Sequence, residues 1–520
     1  MSRITKEESS PVGFRILDLF AGPGGLDVAA HVLGHEITGI EWDAGACATR
    51  GAAGMDTFKG DVRRYRAALF PRAQVLTGGP PCQTFTVAGH GAGRKALDQV
   101  LEYIERLRKA VEAEDQEWKE IFRTWRQISE ELRRRELEAK KVRAAKSKVD
   151  ELRTSKRRAA KDRLEQLGRS KDQVRKFLKD LRNPRSVDFA FDDELKGLLK
   201  EFIDLDDEHH RLREVLEGLG DERTGLVLQP LWWVIERSKR PGSEPYEAVI
   251  LEQVRAVMPV WNAYAEVLTT LGYRTKTQLM HTEAFGVPQT RRRAVLMARL
   301  GETSPANELF ADPLPEVPET HEQYRAKELS STSPKARRAG TSASKRPREM
   351  WISMEKALEN ARKISPRKVH RRPHFTVISN YGTGGVPEER GQRDDNAPSA
   401  TITGKVSRNR LVRKGTNEDL AEFDRFTHAE AGVLQTFPVE YPWCGNDVSQ
   451  QIGNAVPPRL ALHVLCRVLE PELSTAEAEA RLEQAVSDLE AWKPAGPTKI
   501  LGHRDLRGHP LAQTPPPAHS

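Results

Sequence analysis

Cys82 stands in Gly78-Gly-Pro-Pro-Cys-Gln83, a setting suited to covalent chemistry. The Pro-Pro pair stiffens the chain before the thiol, and an apolar run, Gln74–Gly78, precedes it. A rigid, partly exposed thiol is a nucleophile when its pKa is lowered. The bland alternative is a buried structural thiol, which suits Cys47 and Cys466 better. A second cluster follows another apolar run: Asp18-Leu-Phe20-Ala-Gly22-Pro-Gly24-Gly25-Leu26. Its glycines let backbone approach a ligand without Cβ obstruction. Glu41 ends the next run, where a carboxylate can take two ribose hydroxyls, and Asp61 supplies a third ligand position. Together these point to a nucleoside cofactor. The pyrophosphate fingerprint GxGxxG is incomplete, which favours S-adenosylmethionine over NAD.

These residues need a scaffold. Short apolar runs at 14–20, 35–41, 74–78, 246–252 and 295–300 read as strands, with helical stretches between them. That is a βαβ series and implies a parallel sheet. Residues 97–219 differ. Leu97, Leu101, Ile104, Leu107 and Val111 recur at steps of three and four, as do Trp118, Ile121, Trp125, Ile128 and Leu132. Lys and Arg crowd 140–163. The pattern predicts a long helical, coiled-coil-like hairpin. Residues 301–350 read as linker, 351–415 as a short helix with polar loops, and the tail from about 494 as disordered.

The chain has 520 residues, enough for a sizeable core without staples. Its 83 Lys and Arg exceed 75 Asp and Glu, a mild lean toward a polyanionic partner. No run of 18 apolar residues marks a membrane span. The N-terminus lacks an apolar signal core, and the four cysteines lack zinc or disulfide spacing. No metal is expected, and the expected compartment is the cytoplasm, at the nucleoid.

The motifs, in order, resemble those of the DNA (cytosine-5)-methyltransferases. Asp18–Gly25 looks like that family's cofactor loop and Gly79-Pro-Pro-Cys-Gln83 like its nucleophile motif. Asp221-Glu-Arg-Thr-Gly-Leu226, Glu252-Gln-Val254 and Gln289-Thr-Arg291-Arg-Arg293 are similar to the next three. Ala397–Thr403, Arg425–Pro438 and Gln451-Ile-Gly-Asn-Ala-Val-Pro457 complete the set. Eight ordered motifs are far more specific than any one alone.

The resemblance implies an α/β fold: a doubly wound, mostly parallel sheet of Rossmann-like methyltransferase type, with the helical insertion and a small target-recognition region. It implies methyl transfer from S-adenosylmethionine to C5 of a flipped-out cytosine in double-stranded DNA. Cys82 would add to C6, Glu252 would act at N3 and Arg291 at O2, while Arg293 would brace the site through Glu252 or a phosphate. Phe20, Gly22, Gly24, Gly25, Leu26, Glu41, Trp42, Asp61, Val62, Pro80, Leu226, Asn454 and Val456 would form the cofactor pocket. Asn454 lies far along the chain, so its two distant ends must close one catalytic domain.

Three features depart from the family. Gln253 replaces its usual Asn. The 97–219 insertion reads as an inert hairpin, a second DNA clamp or a docking arm. The reader is confined to 301–396, where Lys363–Arg372 and Tyr381–Gly385 are candidate DNA contacts, as is Lys405–Arg413 beyond it. The expected divisions are 1–13, 14–96, 97–219, 220–300, 301–396, 397–470 and 471–520. The competing readings are a tRNA cytosine methyltransferase and a non-catalytic DNA-binding scaffold. A cognate restriction endonuclease or other defence-system partner is left open, as is oligomeric state.

Overall fold

The computed structural model describes residues 13–81, 92–113, 117–180, 193–219, 225–301, 313–325, 347–379, 391–416 and 418–512. The chain divides into two compact units. One comprises Met1–Pro81, Ile104–Ile121 and Leu226–Ser520, the other Cys82–Tyr103 and Phe122–Gly225.

The first unit is built on seven strands: β1 (Arg15–Leu19), β2 (Glu36–Glu41), β3 (Asp56–Lys59), β4 (Val75–Gly78), β5 (Ala248–Val254), β6 (Tyr273–His281) and β7 (Arg292–Leu300). Their order is β3-β2-β1-β4-β5-β7-β6, and only β7 runs antiparallel to its neighbours. All five expected strands form, with ends shifted by at most three residues. Two strands of this sheet escape the sequence reading, β3 and β6, and they are its edges; so do the strands within 375–413, read as polar loops. Edge strands carry polar residues, as in Asp56-Thr-Phe-Lys59, so they lack the apolar run that marks a central parallel strand.

Helix α1 (Gly25–Val32) packs beside β2 and α2 (Ala44–Ala52) beside β3. Between them lies a fully buried ion pair that sequence reading missed. Arg50 binds Asp27 through both Nη atoms, at 2.8 and 2.6 Å, and donates from Nε to Thr57 Oγ1 at 2.8 Å. Gly39 leaves room for it, since a Cβ there would fall 2.1 Å from Arg50 Nη2. Burial, then the Asp27 charge, raises the neighbouring Asp18 carboxyl from 3.8 to about 8, against its hydrogen bond from Thr77. A folded value above the unfolded one means this group costs stability progressively as pH rises from about 4 to about 8. Arg50→Ala strands the Asp27 charge beside Asp18, so urea unfolding should show a loss of about 3–5 kcal/mol. A loss under about 1 kcal/mol would mean that the pair is not buried as described.

The second unit is helical, as expected. Its helices are α3 (Ala92–Glu112, whose later turns belong to the first unit), α4 (Trp118–Gln166), α5 (Lys171–Asp180) and α6 (Asp193–Leu219). The 49-residue α4 and α6 run antiparallel, since Asp150, Arg153, Lys156 and Arg163 pair with His209, Asp206, Glu201 and Glu194 respectively. A small apolar core of Ala160, Leu164, Val174, Phe177, Leu195, Leu199 and Phe202 closes one end.

The first unit continues through α7 (Gln229–Lys239) and α8 (Met258–Thr270). Helix α9 (Met354–Ile364) precedes a three-stranded antiparallel sheet of β8 (Phe375–Ile378), β9 (Gln392–Asp394) and β10 (Arg410–Arg413), ordered β10-β8-β9. Met354, Leu358, Phe375, Val377 and Leu411 share a core with α10 (His428–Leu434) and α11 (Val448–Asn454). Helices α12 (Pro458–Leu469) and α13 (Thr475–Ala491) return to cover α1.

The tail corrects an expectation. Residues 493–512 are not loose but line the β3 edge. Leu501 exchanges backbone hydrogen bonds with Thr57 and Lys59 at 2.8 and 2.9 Å, and His509 Nε2 lies 2.7 Å from Asp56 Oδ2. Its Pro- and Gly-rich composition suits an irregular strap over an edge, which composition alone does not distinguish from disorder.

Candidate active site

Four strands end in a row. Leu19 on β1 pairs with Ile40 on β2 and Gly78 on β4, and Gly78 pairs with Leu251 on β5. The next residue on each strand is therefore Phe20, Glu41, Gly79 and Glu252. The parallel register alone brings the residues expected for the cofactor loop, the ribose and the chemistry to one carboxyl edge. This is also where the sheet order reverses on either side of β1, the place where open α/β sheets bind ligands.

On the β1–β2 side, the loop is tightly held. Glu41 accepts N–H groups from Gly22 and Asp43, each at 2.7 Å. Burial raises its carboxyl, opposed by the Asp43 and Gly22 hydrogen bonds. Phe20 has φ 61° and Gly24 φ 102°, left-handed conformations that Gly tolerates and Phe adopts at a cost of about 1–3 kcal/mol. Gly24 and Gly25 are needed for space as well. A Cβ on Gly24 would meet Met55 Sδ at 2.2 Å, and one on Gly25 would meet the Val456 carbonyl at 2.0 Å. Val456 thus lies directly on the cofactor loop, and Tyr441 donates to the Pro23 carbonyl. Val456 and Tyr441 thus set the C-terminal part of the chain against the loop after β1. Leu26 and Val62 are buried, Leu226 is half-buried, and Asn454 is exposed with Oδ1 accepting from Gln450 at 2.8 Å. Gly60 donates to the Glu41 carbonyl at 2.8 Å, bringing Asp61 alongside. Burial pushes the Asp61 carboxyl up, but the Arg63 side chain and amide outweigh it and hold it below its ordinary value. Trp42 is 66% exposed, an indole with a face that no protein group covers fully.

On the β4–β5 side, Glu252 and Arg293 form a buried pair, Nε to Oε1 2.5 Å. Despite that closeness, Glu252 Oε1 takes no aligned hydrogen bond. Burial raises the Glu252 carboxyl above 4.5, with Arg293 pulling against it, and lowers the Arg293 guanidinium. A Cβ on Gly79 would lie 3.7 Å from Glu252 Oε2, so the Gly-Pro-Pro segment runs beside this carboxyl. Gln253 straps that segment down: its Nε2 donates to the Pro80 carbonyl at 2.6 Å, while its Oε1 accepts from Val254 N at 2.5 Å. The residue that departs from the family pattern therefore keeps a strap. Gln253→Ala removes it without touching Glu252. It should lower the turnover of this site about tenfold while leaving ligand affinity at the β1–β2 side within twofold, because about 1–1.5 kcal/mol of positioning is lost.

Arg291 does not sit where it was expected. It is 3% exposed and spends its Nη atoms on the Ile402 and Gly453 carbonyls, both at 2.9 Å. It ties β7 to the C-terminal motifs, while Arg293, two residues on, lies against Glu252. Gln289 works like Arg291, accepting from Ile402 N at 2.7 Å and donating to Gln435 Oε1 at 2.8 Å. Gln435, which sequence reading left without a role, donates on to the Ile452 carbonyl at 2.8 Å. Its only sequence signal was its place inside a motif.

The candidate DNA contacts divide. Arg372 is buried in an ion pair with Glu430 at 2.6 Å and donates to the Phe423 and Arg425 carbonyls, so it is structural. Lys368 pairs with Glu440 and Arg410 with Asp419, each at 2.7 Å. Lys363, Arg367, Arg371, Lys405 and Arg408 are exposed. Nearby, His374 Nδ1 lies 2.9 Å from Asp395 and 3.6 Å from Glu355. The Asp395 hydrogen bond, then both acidic charges, raise His374, and Lys414 Nζ stands 3.8 Å from Asp395 Oδ1. The charges in this cluster already offset one another. Cys47 and Cys466 are buried, and burial pushes both thiols up to about 12, as suits inert thiols. Cys82, Asp221–Thr224 and Tyr381–Gly385 lie outside the described residues.

One carboxyl edge of a doubly wound sheet thus carries a glycine loop, the Glu41 carboxylate and the Glu252–Arg293 pair, an arrangement suited to a nucleoside ligand. The chain belongs to the C-5 cytosine-specific DNA methylase family, which it matches over residues 14–112 and 229–470. It is 29% identical over 113 residues to the Type II methyltransferase M.AquIA of Picosynechococcus, covering 19% of this chain and 44% of that one. It is 37% identical over 90 residues to M.NgoPII of Neisseria gonorrhoeae, covering 16% and 26%. With M.HpaII of Haemophilus parainfluenzae it shares 37% over 83 residues, 15% and 23% of the two chains. The matched stretches thus span less than half the length of each of these relatives. The gap in the family match, 113–228, contains most of the helical insertion.

Proposed function

We propose that this protein transfers a methyl group to C5 of cytosine in double-stranded DNA. The observation that carries the reading is the buried Glu252–Arg293 pair beside the Gly79-Pro80-Pro81 segment that leads into Cys82.

Cytosine C5 is a weak nucleophile, and the reaction needs a route around that. The Cys82 thiolate adds to C6, forming a C–S bond and moving an electron pair toward N3 and O2. Glu252, whose carboxyl burial favours protonated, donates its proton at N3. Arg293, already beside Glu252, is the guanidinium that faces O2; Arg291, spent on backbone carbonyls, positions the loop instead. C5, now enamine-like, would take the sulfonium methyl as its bond to sulfur breaks and a neutral thioether leaves, and N3 would return its proton to Glu252. A base then takes the C5 proton, the C–S bond breaks, and Cys82 is regenerated. The cytosine must leave its stack to reach these groups.

The residues fit S-adenosylmethionine. Glu41 is oriented by two N–H groups with lone pairs left for ribose hydroxyls, and Trp42 offers an uncovered indole for the adenine. When bound, S-adenosylmethionine supplies the sulfonium methyl. Residence at the nucleoid belongs to the same reading, and a restriction endonuclease or other defence-system partner stays open.

The test is expression in a host lacking cytosine methylation, with base-resolution mapping of 5-methylcytosine, beside a labelled S-adenosylmethionine assay on duplex DNA and on RNA. Methylation at a defined DNA motif is expected. Label transferred to RNA alone would sink the DNA reading.

A further inference from the structure

The insertion is highly charged, and the structure sorts its charges onto two faces. Helix α4 (Trp118–Gln166) carries 17 basic and nine acidic side chains; α6 (Asp193–Leu219) carries four basic and nine acidic. Where they face one another, the charges cancel. Lys146 pairs with Asp150 of its own helix at 2.8 Å, Arg153 with Asp206, Lys156 with Glu201, and Arg163 with Glu194 at 3.1 Å. Much of the basic density read from residues 140–163 is thus spent inside the hairpin.

Apart from Arg135, the exposed basic residues that remain lie mostly on the opposite side. Arg133, Arg134, Lys140, Lys141, Lys148 and Arg158 are all exposed, and none makes an ion pair among the described residues. At 100° per residue they fall within an arc of about 120°, and at 1.5 Å per residue they extend along about 38 Å of helix. Glu151 is the one acid on that arc between Arg133 and Arg158, and Asp162 ends the stripe. Leu137, Ala144, Leu152 and Ser155 share the arc with the basic residues, and the two leucines are half exposed.

We propose that this outward face of α4 is a second DNA-binding surface that tracks backbone phosphates, separate from the groups that act on the base. The proposal rests on the DNA reading above for its choice of polyanion. A straight cationic rod about 38 Å long spans roughly one turn of duplex DNA, which offers a phosphate charge every ~1.7 Å of its axis. Attraction of this kind needs no base contact and adds no sequence preference. It holds the duplex near the enzyme and makes affinity depend on salt.

The test uses the full-length protein and a fluorescent 30-base-pair duplex of arbitrary sequence, titrated from 50 to 300 mM salt. In Lys140→Gln/Lys141→Gln/Lys148→Gln/Arg158→Gln, the plot of log affinity against log salt should flatten by about 3–4 units, roughly 0.9 for each phosphate no longer neutralised, with affinity at 100 mM salt falling at least about tenfold. The charge-keeping variant Lys140→Arg/Lys141→Arg/Lys148→Arg/Arg158→Lys should bind as the wild type does. If circular dichroism shows the Gln variant losing helix, Lys141→Gln and Lys148→Gln singly should each reduce the slope by about 0.9. Variants that bind with the wild-type slope and affinity overturn the proposal. So does a wild type that prefers an RNA hairpin tenfold, with the variants losing RNA affinity alone. Methyl transfer by the wild type, measured on the same DNA, separates the two claims. Transfer with unchanged variant binding removes the surface and keeps the enzyme; stripe-dependent binding without transfer does the reverse.

Discussion

Cys82→Ala is expected to bind S-adenosylmethionine and DNA as the wild type does and to transfer no measurable methyl group. Removing a nucleophile typically costs four or more orders of magnitude, roughly what separates an enzyme from its residual binding effects. The surroundings should survive the change. Gly79 donates to the Leu19 carbonyl at 3.3 Å, and Pro80 is strapped by Gln253 at 2.6 Å, so the segment is anchored before it reaches residue 82. Two measurements decide the matter: single-turnover transfer of labelled methyl to duplex DNA, and DNA trapping by a 5-fluorocytosine duplex. With fluorine at C5 the final proton loss cannot occur, so the wild type should remain covalently attached while Cys82→Ala releases its DNA. Transfer by Cys82→Ala at a tenth of the wild-type rate would require a different mechanism.

Glu252→Gln should lower the transfer rate about 10²–10⁴-fold, the usual scale for a positioned proton donor. Gln matches the shape and keeps an oxygen for Arg293, so cofactor affinity and melting temperature should barely move. The pH profile carries the sharper expectation. Burial holds the Glu252 carboxyl above its ordinary 4.5, and the active form donates a proton, so activity should fall as pH rises through that raised value. A group that cannot titrate loses that limb, and the Gln variant should be flat there. The sign for folding agrees: a raised folded pKa contributes stability below 4.5 that is lost as pH climbs through the folded value. An unchanged high-pH limb in Glu252→Gln would assign that limb to another group.

The central strands could be read from the chain because each is buried on both faces and appears as a short apolar run. The edge strands β3 and β6 could not, because one side of each meets solvent or an irregular strap. The tail shows the same limit. Nothing in Thr498–Leu501 marks it as the partner of β3, since that pairing depends on an edge being free. Arg50 is the plainest case. In sequence it is one basic residue on a short helix, yet folding places it at 0% exposure between Asp27 and Thr57, across from a glycine that makes the space.

The candidate site divides along the same line. The residue types and their order determined which chemistry the chain could support: a thiol after a stiff turn, a glycine loop, a ribose-type acid, and a later Glu and Arg pair of motifs. Parallel register then put Phe20, Glu41, Gly79 and Glu252 on one sheet edge, a consequence of pairing that no local segment carries. Two arginines at an i, i+2 spacing on one strand are equivalent in sequence. Only their surroundings separate Arg293, against a buried carboxyl, from Arg291, held by three backbone carbonyls. The insertion repeats the point. The charge of α4 is legible in its residues, but its antiparallel packing against α6 decided which lysines and arginines are neutralised and which face water, because an ion pair depends on distance across the fold and not along the chain.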